Sequence, residues 1–405
     1  MTTPALPPLF AQVEMAPRDP ILGLTETFNA DPSPRKVNLG VGVYYSDDGK
    51  VPLLECVRIA ERQLADKAAP RSYLPIDGVP AYNRAVQELV FGADHAVVRE
   101  RRTITIQALG GTGGLKVGAD FLKRIAPGAT AWISDPSWEN HRALFESAGF
   151  AVKNYAYYQP AARGLHFAAM RASLNEMAPG SIVVLHACCH NPTGVDPDQA
   201  QWNEIIALVR SRGLIPFVDI AYQGFGTGID EDALVVRRFA QTPGPLFVAS
   251  SFSKSLSLYG ERVGALSIVA ASADEAQRIL SQVKRVVRTN YSNPPTHGGQ
   301  LAAAILTTPE LRVLWERELA AMRERIREMR RQLSERLSAK LPGRDFSFIV
   351  EQRGMFSYSG MTRDEVIRLR AEFGVYAIET GRICVAALNS GNIDYAAESI
   401  AKILG

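Results

Sequence analysis

Apolar and polar positions along this chain follow two periods, and the change between them divides it. From Thr103 to Val269 short apolar runs recur at Thr103–Leu109, Thr130–Ser134, Ala151–Tyr157, Ser181–Ala187, Leu214–Asp219, Leu246–Ser250 and Val263–Val269. Runs of this length, apolar on both faces, predict buried strands. Helical patterns separate most of them, as at Leu115–Ile125 and Gln201–Arg212. The layout is therefore α/β, with a mainly parallel seven-stranded sheet. The last run follows its predecessor after a link too short for a helical crossover, which predicts an antiparallel strand.

Outside this region the period is helical. Residues 1–17 are rich in proline and alanine, and such an arm cannot form its own core. Asp19–Phe28 reads as a short helix with Asp19 as N-cap and Pro20 at its first position. In Val37–Tyr45 glycine alternates with apolar residues, which suits a strand or loop whose backbone approaches a ligand. Helices follow at Leu54–Ala68 and 80–91, separated by the turn-rich loop Pro70–Gly78. Beyond the sheet, Ala273–Val287 is helical and ends in Arg288-Thr289-Asn290-Tyr291-Ser292-Asn293-Pro294-Pro295. A long helix then carries Trp315, Leu319, Met322, Ile326, Met329, Leu333 and Leu337 on one stripe. A coiled coil would continue that pattern; here it stops after one helix, as a spine between two domains would. Residues 346–405 hold short strands and two helices. The expected division is an arm (1–17), a smaller α+β domain (18–50 with 315–405) and a large domain (51–314).

Composition narrows the class. The 405 residues are 46% hydrophobic and 21% charged, ordinary for a soluble protein with a sizeable core. A net charge of +3 with dispersed basic residues gives no reason to expect a nucleic-acid or membrane partner. No apolar run has membrane-spanning length, and the N-terminus lacks the basic start and apolar stretch of a signal peptide. Cys56, Cys188, Cys189 and Cys384 are too scattered for a disulfide framework, and the adjacent pair reads as core filler. A cytoplasmic enzyme is the expectation.

The candidate chemistry lies just past the carboxyl ends of the strands, where open α/β sheets place their ligands. After the first comes Gly110-Gly111-Thr112-Gly113-Gly114-Leu115, either an anion cradle at a helix N-terminus or a plain tight turn. It is neither a P-loop nor a dinucleotide fingerprint, since no Gly-Lys-Ser/Thr closes it and Lys116 stands where a third glycine belongs. After the second, Asp135-Pro136-Ser137-Trp138-Glu139-Asn140-His141 offers an indole and an imidazole. After the fourth, His190-Asn191-Pro192-Thr193-Gly194 presents an amide in a turn. The fifth ends in Asp219-Ile220-Ala221-Tyr222, a carboxylate at the strand end. No His, Cys and carboxylate set has the spacing of metal ligands. After the sixth, Ser250-Ser251-Phe252-Ser253-Lys254 is followed by Arg262. Alone, this lysine fits a solvated surface charge; among the other clusters it suits a Schiff base to pyridoxal phosphate, with Ser251 and Arg262 on the phosphate. Asp219 would then keep the pyridine nitrogen protonated.

Taken together, Val37–Tyr45, Arg71–Gly78, Gly110–Gly114, Asp135–His141, His190–Gly194, Asp219–Phe225, Ser250–Gly264, Arg288–His297 and Gly381–Arg382 resemble, in order and spacing, the fold-type I pyridoxal phosphate aminotransferases of the aspartate and aromatic group. The resemblance spans nearly the whole chain. It implies a homodimer with shared active sites and pyridoxal phosphate as cofactor. Lys254 would be the Schiff-base lysine and proton shuttle, Asp219 the partner of the pyridinium nitrogen, and His141 its support. Asn191 and Tyr222 would hydrogen-bond the ring phenolate, and Trp138 would stack on the ring. Gly111, Thr112, Ser251 and Arg262 would hold the phosphate, with Tyr73 reaching it from the second subunit. Arg382 would clamp the substrate carboxylate, Gly42 and Tyr45 would lie beside the substrate, and Arg288 of the partner subunit would meet a side-chain carboxylate.

Departures from the family pattern are modest. Ser255-Leu256-Ser257 replaces a common Asn-Phe-Gly, and Gly260 a frequent asparagine. Tyr45 stands where aspartate-directed relatives tend to carry lysine, Val51 where threonine is common, and Ser72 where asparagine is. Each makes the pocket less polar, while Thr112 and Asn293 keep the aspartate-like choice. The resemblance thus implies transamination of aromatic and dicarboxylic L-amino acids with 2-oxoglutarate. The alternatives are a strict aspartate aminotransferase, another pyridoxal phosphate reaction such as β-lyase or decarboxylase chemistry, and a non-catalytic cofactor-binding regulator. Two arginine clamps argue against the second, and the lack of a DNA-binding segment against the third.

Overall fold

The computed structural model describes residues 9–405 apart from 12 and 71. The first eight residues of the expected arm, and Arg71 of the 70–78 loop, lie outside the described residues. Seven strands form the large sheet: β1 (Thr103–Leu109), β2 (Thr130–Asp135), β3 (Ala151–Ala156), β4 (Ile182–His186), β5 (Ile215–Ile220), β6 (Leu246–Ser251) and β7 (Val263–Val269). Their order is β1-β7-β6-β5-β4-β2-β3. Only β7 runs antiparallel to its neighbours, as its short link to β6 predicts.

Helices cover both faces, so every residue of β4, β6 and β7 is buried. Successive side chains point to opposite faces. Phe217 and Phe247 accordingly join one core, with Leu115 and Phe121 of helix α1 (Gly110–Ile125) and Leu266. Val218 and Val248 join the other, beneath helix α2 (Ile229–Gln241) and the helices that flank it.

The glycine run differs from its expected role as a loop ahead of the helix, because it forms the first turn of α1. A helix can begin at Gly110 because its N–H bonds the Arg262 carbonyl across β7, at 2.9 Å. Close packing demands the glycines. A Cβ on Gly264 would lie 2.3 Å from the backbone carbon of Gly110, and one on Gly114 2.6 Å from the Ala265 carbonyl oxygen.

Helix α3 (Ala273–Asn290) runs three residues beyond its predicted end. Val286 and Val287 are buried there, and the Thr289 hydroxyl bonds the carbonyls of Arg285 and Val286, both at 3.1 Å. Arg288 therefore sits in a helical turn rather than on a loose segment. At the other end, the first helix spans Leu22–Ala30 rather than starting after Asp19. Asp19 still caps the turn before it, accepting the N–H groups of Ile21 (2.9 Å) and Leu22 (2.7 Å).

The spine is helix α4 (Pro309–Lys340), and all seven residues of its predicted stripe are buried. Its partners belong to its own chain, among them the C-terminal helix Ile393–Leu404. Trp315 donates its indole N–H to the Ser255 carbonyl at 2.6 Å, beside the lysine loop. Further along, Arg323 and Arg327 bond the carbonyls of Gly224 (3.0 Å) and Gly226 (2.8 Å). Arg330 bonds those of Ile349 (2.9 Å), Gly354 (2.8 Å) and Phe356. One helix thus ties the loop after β5 to the strand Phe356–Tyr358, which pairs with Arg382–Cys384. Val37–Asn38, the only strand in the predicted 37–45 stretch, pairs with Val375–Tyr376. Among the described residues no helix is long and apolar enough to cross a membrane.

Gly264→Ala should lower stability by about 2–4 kcal/mol, since the added methyl meets backbone on both sides. Thermal unfolding of the purified variant checks this, and an unchanged midpoint would mean that α1 and the sheet can separate without cost.

Candidate active site

The carboxyl ends of β1, β2, β4, β5 and β6 open onto one cavity of about 650 Å³. The innermost charge is Asp219, in the last turn of β5 before the strand ends and 4% exposed. Its Oδ2 bonds His141 Nε2 at 3.0 Å, and His141 Nδ1 meets Ser137 Oγ at 3.0 Å. Oδ1 has no protein partner. Burial pushes the carboxyl pKa up, but the His141 hydrogen bond, with the charge of Lys254 nearby, outweighs it and holds the group below its ordinary value. A buried, ionised oxygen facing a cavity needs a donor, and a protonated ring nitrogen supplies one.

Lys254 follows β6, with Nζ 4.9 Å from the centre of the Tyr222 ring. Burial, with the nearby charges of Arg262 and Arg382, brings its pKa down to about 8 although Asp219 pulls the other way. The amine therefore has a substantial free-base fraction near neutral pH, as a nucleophile or general base requires. Burial pushes the Tyr222 phenol well above its ordinary value, so it stays a donor.

An anion cradle forms where the first turn of α1 faces the end of β6. Gly111, Thr112, Ser251 and Arg262 line it. The Arg262 guanidinium is braced by Ser253 Oγ and the Tyr259 carbonyl, each at 3.2 Å. A Cβ on Gly110 would lie 2.5 Å from Arg262 Nη2, so only glycine leaves the guanidinium its place. Backbone N–H groups, a helix N-terminus and a guanidinium together suit a phosphate.

Across the cavity Arg382 is 1% exposed and has no carboxylate partner. It donates to Asn191 Oδ1 at 3.1 Å and to the Gly40 carbonyl at 2.7 Å, lies 4.2 Å from the Phe356 ring centre, and leaves Nε unpartnered. Desolvation lowers its pKa, although the charge of Glu139 in the same cavity pulls the other way. Gly42 passes so close that a Cβ would meet Phe356 at 2.7 Å. Trp138 lines the cavity, edge-on to His141 with centroids 5.3 Å apart.

The structure thus brings Gly42, Gly111, Thr112, Trp138, Asn191, Asp219, Tyr222, Ser251, Lys254, Arg262 and Arg382 around one space, with His141 directly behind Asp219. Three expected residues lie elsewhere. Tyr73 is 93% exposed, Arg288 is exposed, and Tyr45 packs against the core, so none lines the cavity of its own chain.

Sequence reasoning missed His186, Tyr259 and Phe356. His186 ends β4 in register with Asp219, and burial with His141 nearby brings its pKa to about 3, so it is neutral. Its strand-end position was the available signal. Tyr259 accepts the Tyr44 N–H at 2.9 Å and so fixes the glycine-rich 40–45 segment; nothing in its local pattern marks it. His141, His186 and Asp219 also bring three possible metal-ligand atoms within 4.8 Å of one another, a grouping that linear spacing hides.

A buried lysine past one strand, an ionised aspartate at the end of its neighbour and an anion cradle at the start of α1 define an α/β enzyme of the pyridoxal phosphate-dependent, fold-type I class. The chain belongs to the aminotransferase class I and II family, whose model matches residues 34–400, and it is an aminotransferase. It is 60% identical to the aspartate aminotransferase of Pseudomonas aeruginosa over 98% of this chain and all of that one. It is 48% identical to the aromatic-amino-acid aminotransferase of Escherichia coli, with the same coverage. Among solved structures, the aromatic-amino-acid aminotransferase of Burkholderia pseudomallei, covalently bound to pyridoxal phosphate, superposes with a TM-score of 0.96 at 61% identity, covering 98% of this chain and 100% of that one.

The lowered pKa of Lys254 predicts how cofactor-free protein responds to pH. Below pH 8 the folded chain holds a buried ammonium at a cost of at most about 3 kcal/mol. Between the folded value of about 8 and the unfolded value the unfolded chain binds more protons, so stability rises with pH. Lys254→Met should therefore unfold at a higher temperature than the parent apoprotein at pH 6–7, and the gap should close toward pH 10. A gap independent of pH would contradict the lowered pKa.

Proposed function

We propose that this enzyme exchanges amino groups between aromatic or dicarboxylic L-amino acids and 2-oxoglutarate, one keto acid leaving before the other binds. The observation that carries the reading is Arg382, a buried guanidinium without a carboxylate of its own, facing the cavity that holds Lys254. Such a cation is costly unless a ligand supplies the counter-charge. A substrate α-carboxylate does so with the geometry of a planar fork.

The chain's own groups then have distinct tasks. Pyridoxal phosphate, when bound, supplies an aldehyde for amine exchange and a protonated ring that takes up the electron pair released at the substrate Cα. Asp219 Oδ1 would hold the ring nitrogen's proton, with His141 keeping the carboxylate ionised and oriented. Gly111, Thr112, Ser251 and Arg262 would bind the phosphate, and Trp138 would cover the ring. Asn191 and Tyr222 would hydrogen-bond the ring oxygen. Lys254 Nζ, freed by the incoming amine, would take the proton from Cα as general base.

Tyr73 and Arg288 enter through a second copy of the chain. Leu9, Phe10, Val13, Met15 and Leu53 are exposed, as is Tyr73. A homodimer would cover these side chains and deliver Tyr73 to the neighbour's phosphate and Arg288 to a substrate side chain. Residues 18–50 and 315–405 would form the smaller domain, closing over the large domain of 51–314. All four cysteines are buried and unpaired, which suits a cytoplasmic setting.

Relatives of nearly equal identity carry aspartate and aromatic names, so substrate preference rests on this chain's residues. Tyr45, Val51 and Ser72 favour an aromatic ring over a second carboxylate. Arg288 sits in the last turn of α3, bonded to Ser292 Oγ, and its exposed side chain is free to turn away from a ring. Arg288→Ala should lower kcat/KM for aspartate by about 100-fold, roughly 3 kcal/mol, and change that for phenylalanine by less than about threefold. The parent enzyme decides the broader point. A preference for aspartate over phenylalanine beyond about four decades in kcat/KM, some 5–6 kcal/mol, would make it a strict aspartate aminotransferase.

Site sharing has its own test. Neither Lys254→Ala nor Arg288→Ala homodimers should turn over aspartate well, yet mixed dimers should regain one working site in two. Stable hybrids that stay inactive would return both residues to the site of their own subunit.

A further inference from the structure

We propose that Asp232 is a positioning residue for Tyr222, acting through a turn whose amide groups converge on its carboxylate. Asp232 lies in the first turn of α2, is 5% exposed and forms no salt bridge. It spends its charge on the backbone instead. Oδ2 accepts the N–H groups of Gly224 (2.8 Å) and Gly226 (2.9 Å), and Oδ1 accepts that of Thr227 (2.8 Å). The same turn is closed by the Phe225 N–H on the Tyr222 carbonyl at 3.0 Å.

The turn is shaped for this carboxylate. Gly224 has φ of +91°, and a Cβ on Gly226 would lie 2.6 Å from Asp232 Oδ1. From the opposite side Arg323 and Arg327 of α4 hold the carbonyls of Gly224 and Gly226. Amides drawn one way and carbonyls the other leave residues 222–227 a single arrangement. Tyr222, at the start of the turn, is the member that faces the cavity, edge-on to Phe356 with centroids 6.0 Å apart.

A helix-capping acid would also lower stability when removed, so the useful test separates positioning from capping. It rests on the reading that Tyr222 hydrogen-bonds the ring oxygen of bound pyridoxal phosphate. The readout is the pH midpoint of the visible absorbance of the holoenzyme, without substrate. Tyr222→Phe should move the midpoint by about half a unit or more. Asp232→Asn, which keeps the shape but replaces one acceptor oxygen by a donor, should move it in the same direction. The double variant should match Tyr222→Phe alone, because a residue acting only through Tyr222 adds nothing once the hydroxyl is gone. Asp198→Ala, which removes the exposed capping box of helix Gln199–Ser211, should lower the unfolding temperature and leave the midpoint in place.

If Asp232→Asn does not fold, Arg323→Gln loosens the same turn from the other side and should give a smaller shift of the same sign, again absent in the Tyr222→Phe background. A Tyr222→Phe shift with none from Asp232→Asn, or from Arg323→Gln in its place, overturns the proposal, as does a double variant that shows the sum of both shifts. A midpoint unmoved by Tyr222→Phe itself overturns the role given to Tyr222, and the proposal with it.

Discussion

The hydrogen bond between His141 and Asp219 is the contact on which the rest of this site depends. Removed from water, a lone carboxylate would take up a proton, and a neutral Asp219 could not hold a ring nitrogen protonated. His141 prevents that at 3.0 Å, and Ser137 fixes the far side of its imidazole. The charge so preserved also acts across the cavity on Lys254, keeping its pKa near 8 rather than lower still. One acid thus raises the pKa of the nearby amine and, on the proposed reading, would also hold the ring nitrogen's proton. Both consequences need Asp219 at a strand end, where the carboxylate is fixed by the sheet and its free oxygen faces open space.

Around that charge the protein keeps several groups in states that folding alone would not choose. Arg382 is a buried cation with an unpartnered nitrogen, Asp219 a buried anion with an unpartnered oxygen, and His186 a buried imidazole with neither nitrogen bonded. Each costs stability, and on the proposed reading Arg382 and Asp219 are where a bound molecule would supply what the chain withholds. Buried polar groups without a partner also occur away from the site, as at Trp132 Nε1 and Arg212 Nε. Arg330, equally buried and equally without an acid, spends its guanidinium on three backbone carbonyls. Arg330 and Arg382 are chemically alike and both leave Nε unpartnered; what separates them is that Arg382 faces the cavity that holds Lys254.

How much of this was legible in the chain follows from the range of each signal. Strand positions were, because a strand buried on both faces is written in five to seven consecutive residues; β7 begins and ends where its apolar run does. The clusters past the strands were legible too, since topology brings sequence-distant strand ends to one edge and each cluster is local. Element ends were less so. The start of α1 at Gly110 depends on an amide bonded to Arg262, and the end of α3 at Asn290 on a threonine hydroxyl, contacts no local pattern records. His186, Tyr259 and Phe356 escaped for the same reason. Each matters through what stands opposite it, and Phe356 reaches Arg382 only after the chain has crossed α4 and returned.

Substrate preference is the property least written in either place, and the reason is physical. The common chemistry rests on buried groups whose surroundings lie within one chain: a carboxylate, an amine, a guanidinium and a phosphate cradle. On the proposed reading, choice between an aromatic ring and a second carboxylate would rest on Tyr45, Val51, Ser72 and Arg288, none of which lines the cavity of its own chain. Val51 is 44% exposed and Arg288 lies on a helix surface, so their environments are set by whatever packs against them. A contact of that kind is worth only a few kcal/mol, enough to invert a preference and too little to leave a mark on the fold. Two relatives can therefore share about 60% of their residues with this chain and still carry names that differ in substrate. Groups buried within one chain can fix what is done to the amino group, while side chains whose surroundings a second chain completes would decide whose amino group it is.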